Sequence, residues 1–198
     1  MDHAAISQGT TNGRMIVVVG PSGAGKDTLM AYAAQRLQDR SDVTFVRRVI
    51  TRDGSAGGED HDAVSEVEFQ RMAKSGCFAV CWEAHGLHYG IPSDTLQQLA
   101  EGRILVANGS RTALPHFQRA FPGMLVVNVT ARPEVLAARL EARGRESREE
   151  ILRRLQRTTT TFMDAYDVVT IDNSGSLEEA GMAMIKTLAA CLPSRQPQ

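Results

Sequence analysis

The chain has 198 residues, 42% of them hydrophobic and 23% charged, as expected for one soluble globular domain with a full core. Its net charge of −1 excludes a general attraction to nucleic acid, and no apolar run approaches the ~18 residues that a membrane-spanning helix needs. The three cysteines form no CxxC pair, so we expect reduced thiols and a cytoplasmic location.

The two ends of the chain are predicted to lie outside this domain. Residues 1–14 are polar and lack hydrophobic periodicity, which predicts a disordered leader. We predict a single domain over residues 15–192 and a short tail over residues 193–198.

The first stretch of the domain has the pattern of a phosphate-binding loop. Residues 15–19 form a β-branched apolar run typical of a buried strand, residues 20–26 read G-P-S-G-A-G-K, and a helical pattern follows. Successive N–H groups of such a loop and the helix N-terminus attract phosphate, and Lys26 adds a full charge. A glycine-rich turn with a chance lysine is the alternative, but the flanking strand and the spacing favour nucleoside triphosphate binding. The expected contacts are Gly20, Pro21, Ser22, Gly23, Ala24, Gly25, Lys26, Asp27 and Thr28.

Asp27 departs from the usual form of this motif, which ends in Ser or Thr with a hydroxyl on Mg²⁺. A carboxylate is an equally suitable hard oxygen ligand, directly or through a metal-bound water, and negative charge is favoured in the first turn of a helix. We therefore predict that Asp27 belongs to a Mg²⁺ site. A helix-capping role is the alternative.

The rest of the chain alternates between strand and helix patterns. We predict strands at 43–46, 78–82, 104–107, 125–129 and 168–171, and helices at 28–37, 65–75, 93–100, 112–120, 133–142, 147–165 and 176–191. Residues 53–62, with three glycines and four acids, predict a loop, and residues 85–90 a turn. This order predicts an α/β fold of the P-loop NTPase type, in which helices flank a mostly parallel sheet.

Polar clusters follow several of these strands, and ligands bind at the carboxyl ends of strands in such sheets. The clusters are Arg48 with Arg52, Asn108 with Arg111, and the turn from His85 to Tyr89. Their convergence near the phosphate-binding loop would suit a phosphotransferase with two substrates.

A second group of arginines lies around Gly144, at the junction of two predicted helices. It comprises Arg139, Arg143, Arg145, Arg148 and Arg154. A solvated charged surface is the alternative, but phosphoryl transfer needs cations around the migrating group, and a mobile lid supplies them while excluding water. We therefore predict an arginine lid at about 139–154.

Several motifs together resemble the guanylate kinase family over roughly residues 15–190. They are G-P-S-G-A-G-K, I-T-R, G-E-D-H-x-x-V-S, H-G-x-x-Y-G and R-G-x-x-S-x-E-E-I-x-x-R-L. The resemblance implies a kinase core, an acceptor-binding insertion at about 47–91 and the arginine lid. It also implies ATP and Mg²⁺ as cofactors, with Lys26, Arg139, Arg143 and Arg154 in catalytic roles.

Departures from the family pattern argue against GMP as the acceptor. Ser55 stands where the family has a second phosphate-gripping arginine, His61 replaces a tyrosine, and Val80 replaces the glutamate that pairs with guanine. Without that carboxylate the guanine N–H donors would be desolvated unpaired, at about 1–3 kcal/mol each.

The segments G-K-D-T, G-G-E-D-H, H-G-L-H-Y-G-I-P and N-G-S-R resemble the ribose 1,5-bisphosphate phosphokinases of phosphonate degradation. That resemblance implies transfer of the ATP γ-phosphate to the 1-phosphate of ribose 1,5-bisphosphate, giving 5-phosphoribosyl 1-diphosphate (PRPP) and ADP. Cations and hydrogen-bond donors would hold the acceptor, and the candidates are Arg48, Arg52, His61, His85, His88, Tyr89, Asn108 and Arg111. For each histidine, a structural or surface role is the alternative.

Two other functions stay open. One is a guanylate or other nucleoside monophosphate kinase. The other is a non-catalytic binding module of the same shape, which would need neither an intact phosphate-binding loop nor an arginine lid. No nucleic-acid or membrane partner is expected, and a homodimer is allowed for.

Overall fold

The computed structural model describes residues 13–53, 60–142 and 165–192. Residues 1–12, most of the predicted loop at 53–62, the helix at 147–165, most of the lid and the tail lie outside this part. The predicted leader, 1–14, extends too far, because Arg14 already belongs to the first strand. The described elements are β1 (Arg14–Val19), α1 (Lys26–Arg36), β2 (Val43–Phe45), β3 (Arg48–Ile50), β4 (His61–Ala63), α2 (Glu66–Lys74), β5 (Phe78–Ala84), β6 (Leu87–Pro92), α3 (Asp94–Ala100), β7 (Ile104–Asn108), a 3₁₀ turn (Arg111–Ala113), α4 (Leu114–Ala120), β8 (Leu125–Thr130), α5 (Pro133–Glu141), β9 (Asp167–Asp172) and α6 (Leu177–Ala190).

Five strands form the parallel sheet predicted from the sequence, in the order β2-β7-β1-β8-β9. Its three central strands are apolar on both faces because helices and the second sheet cover them, and residues 15–19 are all buried. One apolar cluster joins this sheet to α1 and α6, and another joins it to α4 and β5. The mostly parallel α/β architecture is therefore confirmed, and it places the carboxyl ends of β1, β7 and β8 side by side.

A second sheet, in the order β4-β3-β6-β5, is absent from the sequence-based prediction. The predicted turn at 85–90 is wrong over most of its length, because β5 and β6 form an antiparallel hairpin that turns at His85 and Gly86. Both turn residues have positive φ, 54° and 71°, as a tight hairpin requires. The predicted loop at 53–62 also runs too far, since β4 already begins at His61.

The contact between α1 and α6 depends on a glycine. A Cβ on Gly181 would lie 2.4 Å from two ring carbons of Tyr32, and the Arg36 guanidinium lies over that ring, 3.7 Å from its centroid. The Tyr32 hydroxyl is buried, so the ring has little room to yield.

We expect Gly181→Ala to lower the free energy of unfolding by about 1–3 kcal/mol, because overpacking outweighs the ~1 kcal/mol gain in helix propensity. Urea unfolding checks this. In a Tyr32→Ala background the same substitution should be neutral or stabilising. A loss of equal size in both backgrounds would show that the Tyr32 ring is not the cause.

Candidate active site

The predicted phosphate-binding loop connects β1 to α1. Gly20, Gly23 and Gly25 have φ values of 154°, 84° and 86°, and a Cβ on Gly20 would lie 2.2 Å from the Val129 carbonyl oxygen. Glycine is therefore required at these turns. The Lys26 ammonium donates to the carbonyl oxygens of Gly20 at 3.0 Å and Pro21 at 3.3 Å, so its charge lies within the loop.

Asn173, which directly follows β9, contacts the phosphate-binding loop. Its amide nitrogen donates to the Ala24 carbonyl at 2.8 Å, and its side chain is buried. A Cβ on Gly25 would lie 2.5 Å from the same nitrogen, so the third glycine of the loop makes room for this contact. Asn173 was not among the predicted site residues, although an asparagine two positions after the predicted strand at 168–171 was a signal for it.

Arg139 is the one predicted lid arginine within the described residues; Arg143 and Arg154 lie outside them. Its guanidinium donates to the Asn173 carbonyl at 3.0 Å and is 3.5 Å from the Gly23 carbonyl oxygen. A cavity of about 340 Å³ opens beside it, lined by Gly23, Gly25, Thr28, Arg139, Ala142, Asn173 and Leu177. The cavity adjoins the loop and is large enough for part of a nucleotide.

Asp27 lies in the first turn of α1 and contacts the end of β7. The Asn108 amide donates to its Oδ1 atom at 2.7 Å, and Asn108 is only 5% exposed. The N-cap of α1 is Gly25, and no side chain caps the helix there. The carboxylate therefore faces the sheet edge beside the loop instead of capping the helix.

The inner face of the second sheet carries a stacked group of aromatic and cationic side chains. The rings of Trp82 and Tyr89 stack at 5.2 Å between centroids, and the buried Arg48 guanidinium lies 4.9 Å from the Tyr89 centroid. Trp82 also packs against Phe117 of α4 at 5.5 Å. The stack fixes Arg48 and Tyr89 relative to the core. Trp82 was not among the predicted site residues.

Arg52 and His61 form a second pair next to this stack. The Arg52 guanidinium is 3.4 Å from Nδ1 of His61, and the other ring nitrogen is 3.3 Å from the Arg52 carbonyl oxygen. His61 is paired with Arg48 across β3 and β4, so both side chains share one face of the sheet. Four predicted acceptor residues are thus brought together here, namely Arg48, Arg52, His61 and Tyr89.

Arg111 lies in the 3₁₀ turn that follows β7. Its guanidinium donates to the Asn128 side chain at 3.2 Å, and burial lowers its pKa below the ordinary value. Its Nε atom is buried without a hydrogen-bond partner. Asn128 was not among the predicted site residues, although a polar residue near the end of an apolar strand was a signal.

The other two predicted histidines lie apart from this group. His85 is exposed at the tip of the hairpin. His88 stacks near Phe69 of α2 at 5.4 Å, on the sheet face opposite its neighbour Tyr89. The structure therefore does not bring His88 together with Tyr89 around one ligand.

No helix in the described part of the chain is long and apolar enough to cross a membrane. Within that part there is also no cluster of three or more His, Cys, Asp or Glu side chains that could hold a metal ion. A single carboxylate is still sufficient for Mg²⁺ at a nucleotide, because the phosphates and water supply most of the ligands.

Comparison with known proteins identifies the family. The sequence profile described as guanylate kinase matches residues 12–190. The chain belongs to the guanylate kinase family.

Relatives within the guanylate kinase family point to one branch. The chain is 56% identical to a protein named ribose 1,5-bisphosphate phosphokinase PhnN from Agrobacterium fabrum, over 92% of this chain and 100% of that protein. It is 59% identical to the protein of the same name from Rhizobium etli, over 93% of each chain. The crystal structure of guanylate kinase from Anaplasma phagocytophilum has the same fold, with a TM-score of 0.64, 20% identity and coverage of 91% of this chain and 86% of that one.

Proposed function

We propose that this protein is a ribose 1,5-bisphosphate phosphokinase. It transfers the γ-phosphate of ATP to the 1-phosphate of ribose 1,5-bisphosphate, giving PRPP and ADP. The name shared by the relatives from Agrobacterium fabrum and Rhizobium etli supports this reaction, and so does the phosphate-binding loop of this chain.

The observation that carries the acceptor assignment is a pair of unsatisfied arginine nitrogens. In the described residues three buried side-chain nitrogen or oxygen atoms lack a hydrogen-bond partner, and two of them are the Nε atoms of Arg52 and Arg111. A buried donor without a partner is costly, by about 1–3 kcal/mol. An acceptor that carries two phosphates would supply oxygens to both guanidinium groups.

A phosphate oxygen is already an anionic nucleophile, so the chain has to align the two substrates and neutralise charge, and it needs no general base. Lys26 and the loop N–H groups would hold the ATP phosphates, and the cavity beside Arg139 would receive the rest of the donor. The Asp27 carboxylate would hold Mg²⁺, which would lower the repulsion between donor and acceptor phosphates.

The main alternative is a nucleoside monophosphate kinase. Val80 is 4% exposed and packs with Trp82 and Ile91 in the apolar cluster against α4. A purine edge placed there would meet hydrocarbon instead of a carboxylate, and its N–H donors would remain unpaired.

A coupled ADP-release assay with ATP and Mg²⁺ tests the proposal. We expect turnover with ribose 1,5-bisphosphate and at least about 10²-fold lower kcat/KM with GMP, because an apolar pocket discriminates by about this factor against a ligand whose polar groups it leaves unpaired. Phosphorus NMR of the isolated sugar product should show a diphosphate. Turnover with GMP alone would overturn the acceptor assignment, and no ATP turnover with either acceptor would overturn the enzymatic function.

The reaction would serve phosphonate degradation, as in the phosphonate-linked family that the sequence resembles. The three cysteines are free thiols, which supports a cytoplasmic location. A homodimer remains part of the proposal, and light scattering at several concentrations would measure the molecular mass.

A further inference from the structure

The hydrogen bond between Asn108 and Asp27 joins the two positions from which P-loop enzymes hold magnesium. In those enzymes a loop Ser or Thr and a strand-end Asp hold the ion. Here the loop position carries the carboxylate of Asp27, and the end of β7, next to β1, carries the amide of Asn108. The acidic and the neutral side chain have therefore exchanged places.

We infer that Asn108 is a positioning residue for Mg²⁺, and that Asp27 and Asn108 act as one exchanged pair. The Asn108 amide holds Oδ1 of Asp27 at 2.7 Å, and the structure gives the carboxylate no other hydrogen bond within the described residues. The second carboxylate oxygen is then available to the ion. The inference rests on the proposed function only through its ATP donor, and the identity of the acceptor does not enter it.

Two physical features favour a fixed pair over two independent residues. Asn108 is 5% exposed, so its amide has little freedom to rotate. The hydrogen bond from this amide therefore restricts the orientation of the half-buried Asp27 carboxylate. The amide is neutral, so the site has a single negative charge, whereas two adjacent carboxylates would repel each other and the triphosphate. Partners that orient a metal ligand in this way typically change metal affinity by about 10–100-fold when removed.

The experiment measures metal binding separately from catalysis. Mn²⁺ replaces Mg²⁺, a non-hydrolysable ATP analogue occupies the donor site, and electron paramagnetic resonance counts free Mn²⁺. Metal-free affinity for the analogue is measured in EDTA. The four variants are Asp27→Asn, Asn108→Leu, Asn108→Asp and the double exchange D27N/N108D, which preserves size, net charge and a hydrogen bond between the two positions.

We expect Asn108→Leu and Asp27→Asn each to weaken Mn²⁺ binding by about 10–100-fold, while metal-free affinity for the analogue stays the same or rises. D27N/N108D should recover Mn²⁺ affinity to within about tenfold of the wild type, because the carboxylate returns to the strand end where other P-loop enzymes have it. Asn108→Asp alone should weaken metal-free binding of the analogue, since it adds negative charge beside the phosphates.

Wild-type Mn²⁺ affinity in Asn108→Leu would overturn the positioning role. So would equal losses with and without metal, which a merely structural residue would produce. If D27N/N108D bound Mn²⁺ no better than Asp27→Asn, the inference that the two residues act as a pair would be overturned. The exchange is close to isosteric, so it keeps the inference testable if Asn108→Leu fails to fold. A failed acceptor assay would leave these results unchanged and would count only against the proposed function.

Discussion

Replacement of Lys26 by methionine is expected to lower kcat for ADP release by about 10²–10³-fold, the usual effect of removing one donor from a developing charge. Methionine retains most of the aliphatic stem and removes the ammonium. That ammonium now lies 3.0 Å from the Gly20 carbonyl and 3.3 Å from the Pro21 carbonyl, within the loop that would receive the phosphates. A bound triphosphate would draw it towards the β- and γ-oxygens.

The control is Lys74→Met, at an exposed position in the last turn of α2. This variant should retain full activity, because an exposed lysine away from the loop neither contacts phosphate nor packs in the core. Circular dichroism should show that both variants are folded. A kcat for Lys26→Met within about tenfold of the wild type would mean that this loop does not hold the transferring phosphate.

The loop and the parallel sheet were predictable because each has a strong local signal. The apolar run at 15–19 belongs to a strand covered on both faces, and G-P-S-G-A-G-K has a spacing that few other structures require. The second sheet lacks such a signal. β3 and β4 are three residues long and begin with Arg48 and His61, so neither shows the period of a strand.

The contacts within the site depend on the order of the strands in the sheet, which the sequence does not specify. Asp27 and Asn108 are 81 positions apart and meet because β7 lies beside β1. Asn173 reaches the loop from the end of β9, 149 positions from its partner Ala24. Periodicity showed that polar residues follow these strands, but only the strand order and register show which of them touch. His88 could not be placed from sequence for the same reason. Successive residues of β6 point to opposite faces of the sheet, so His88 and Tyr89 lie on different faces.

Arg52→Ala is expected to raise KM for ribose 1,5-bisphosphate by about 100-fold, equivalent to about 3 kcal/mol, with a smaller change in kcat. The buried Nε atom of Arg52 has no hydrogen-bond partner, while the Nη2 atom lies 3.4 Å from Nδ1 of His61. The contact with His61 orients the arginine before the acceptor arrives, and a phosphate would satisfy the Nε donor. KM for ATP should not change, because the predicted donor contacts lie on the loop between β1 and α1.

Two further variants separate charge from geometry. Arg52→Lys keeps the positive charge and loses the planar fork, so we expect an intermediate rise in KM of about tenfold. Arg71→Ala is the matched control, because Arg71 is an exposed arginine on α2 whose guanidinium pairs with Glu68, and its loss should change KM by less than about twofold. If Arg52→Ala raised KM for ATP and for the acceptor equally, the damage would be to the fold of the second sheet. If it changed neither, the unsatisfied Nε atom would not mark the acceptor phosphate, and Arg111 would be the remaining candidate on the same criterion.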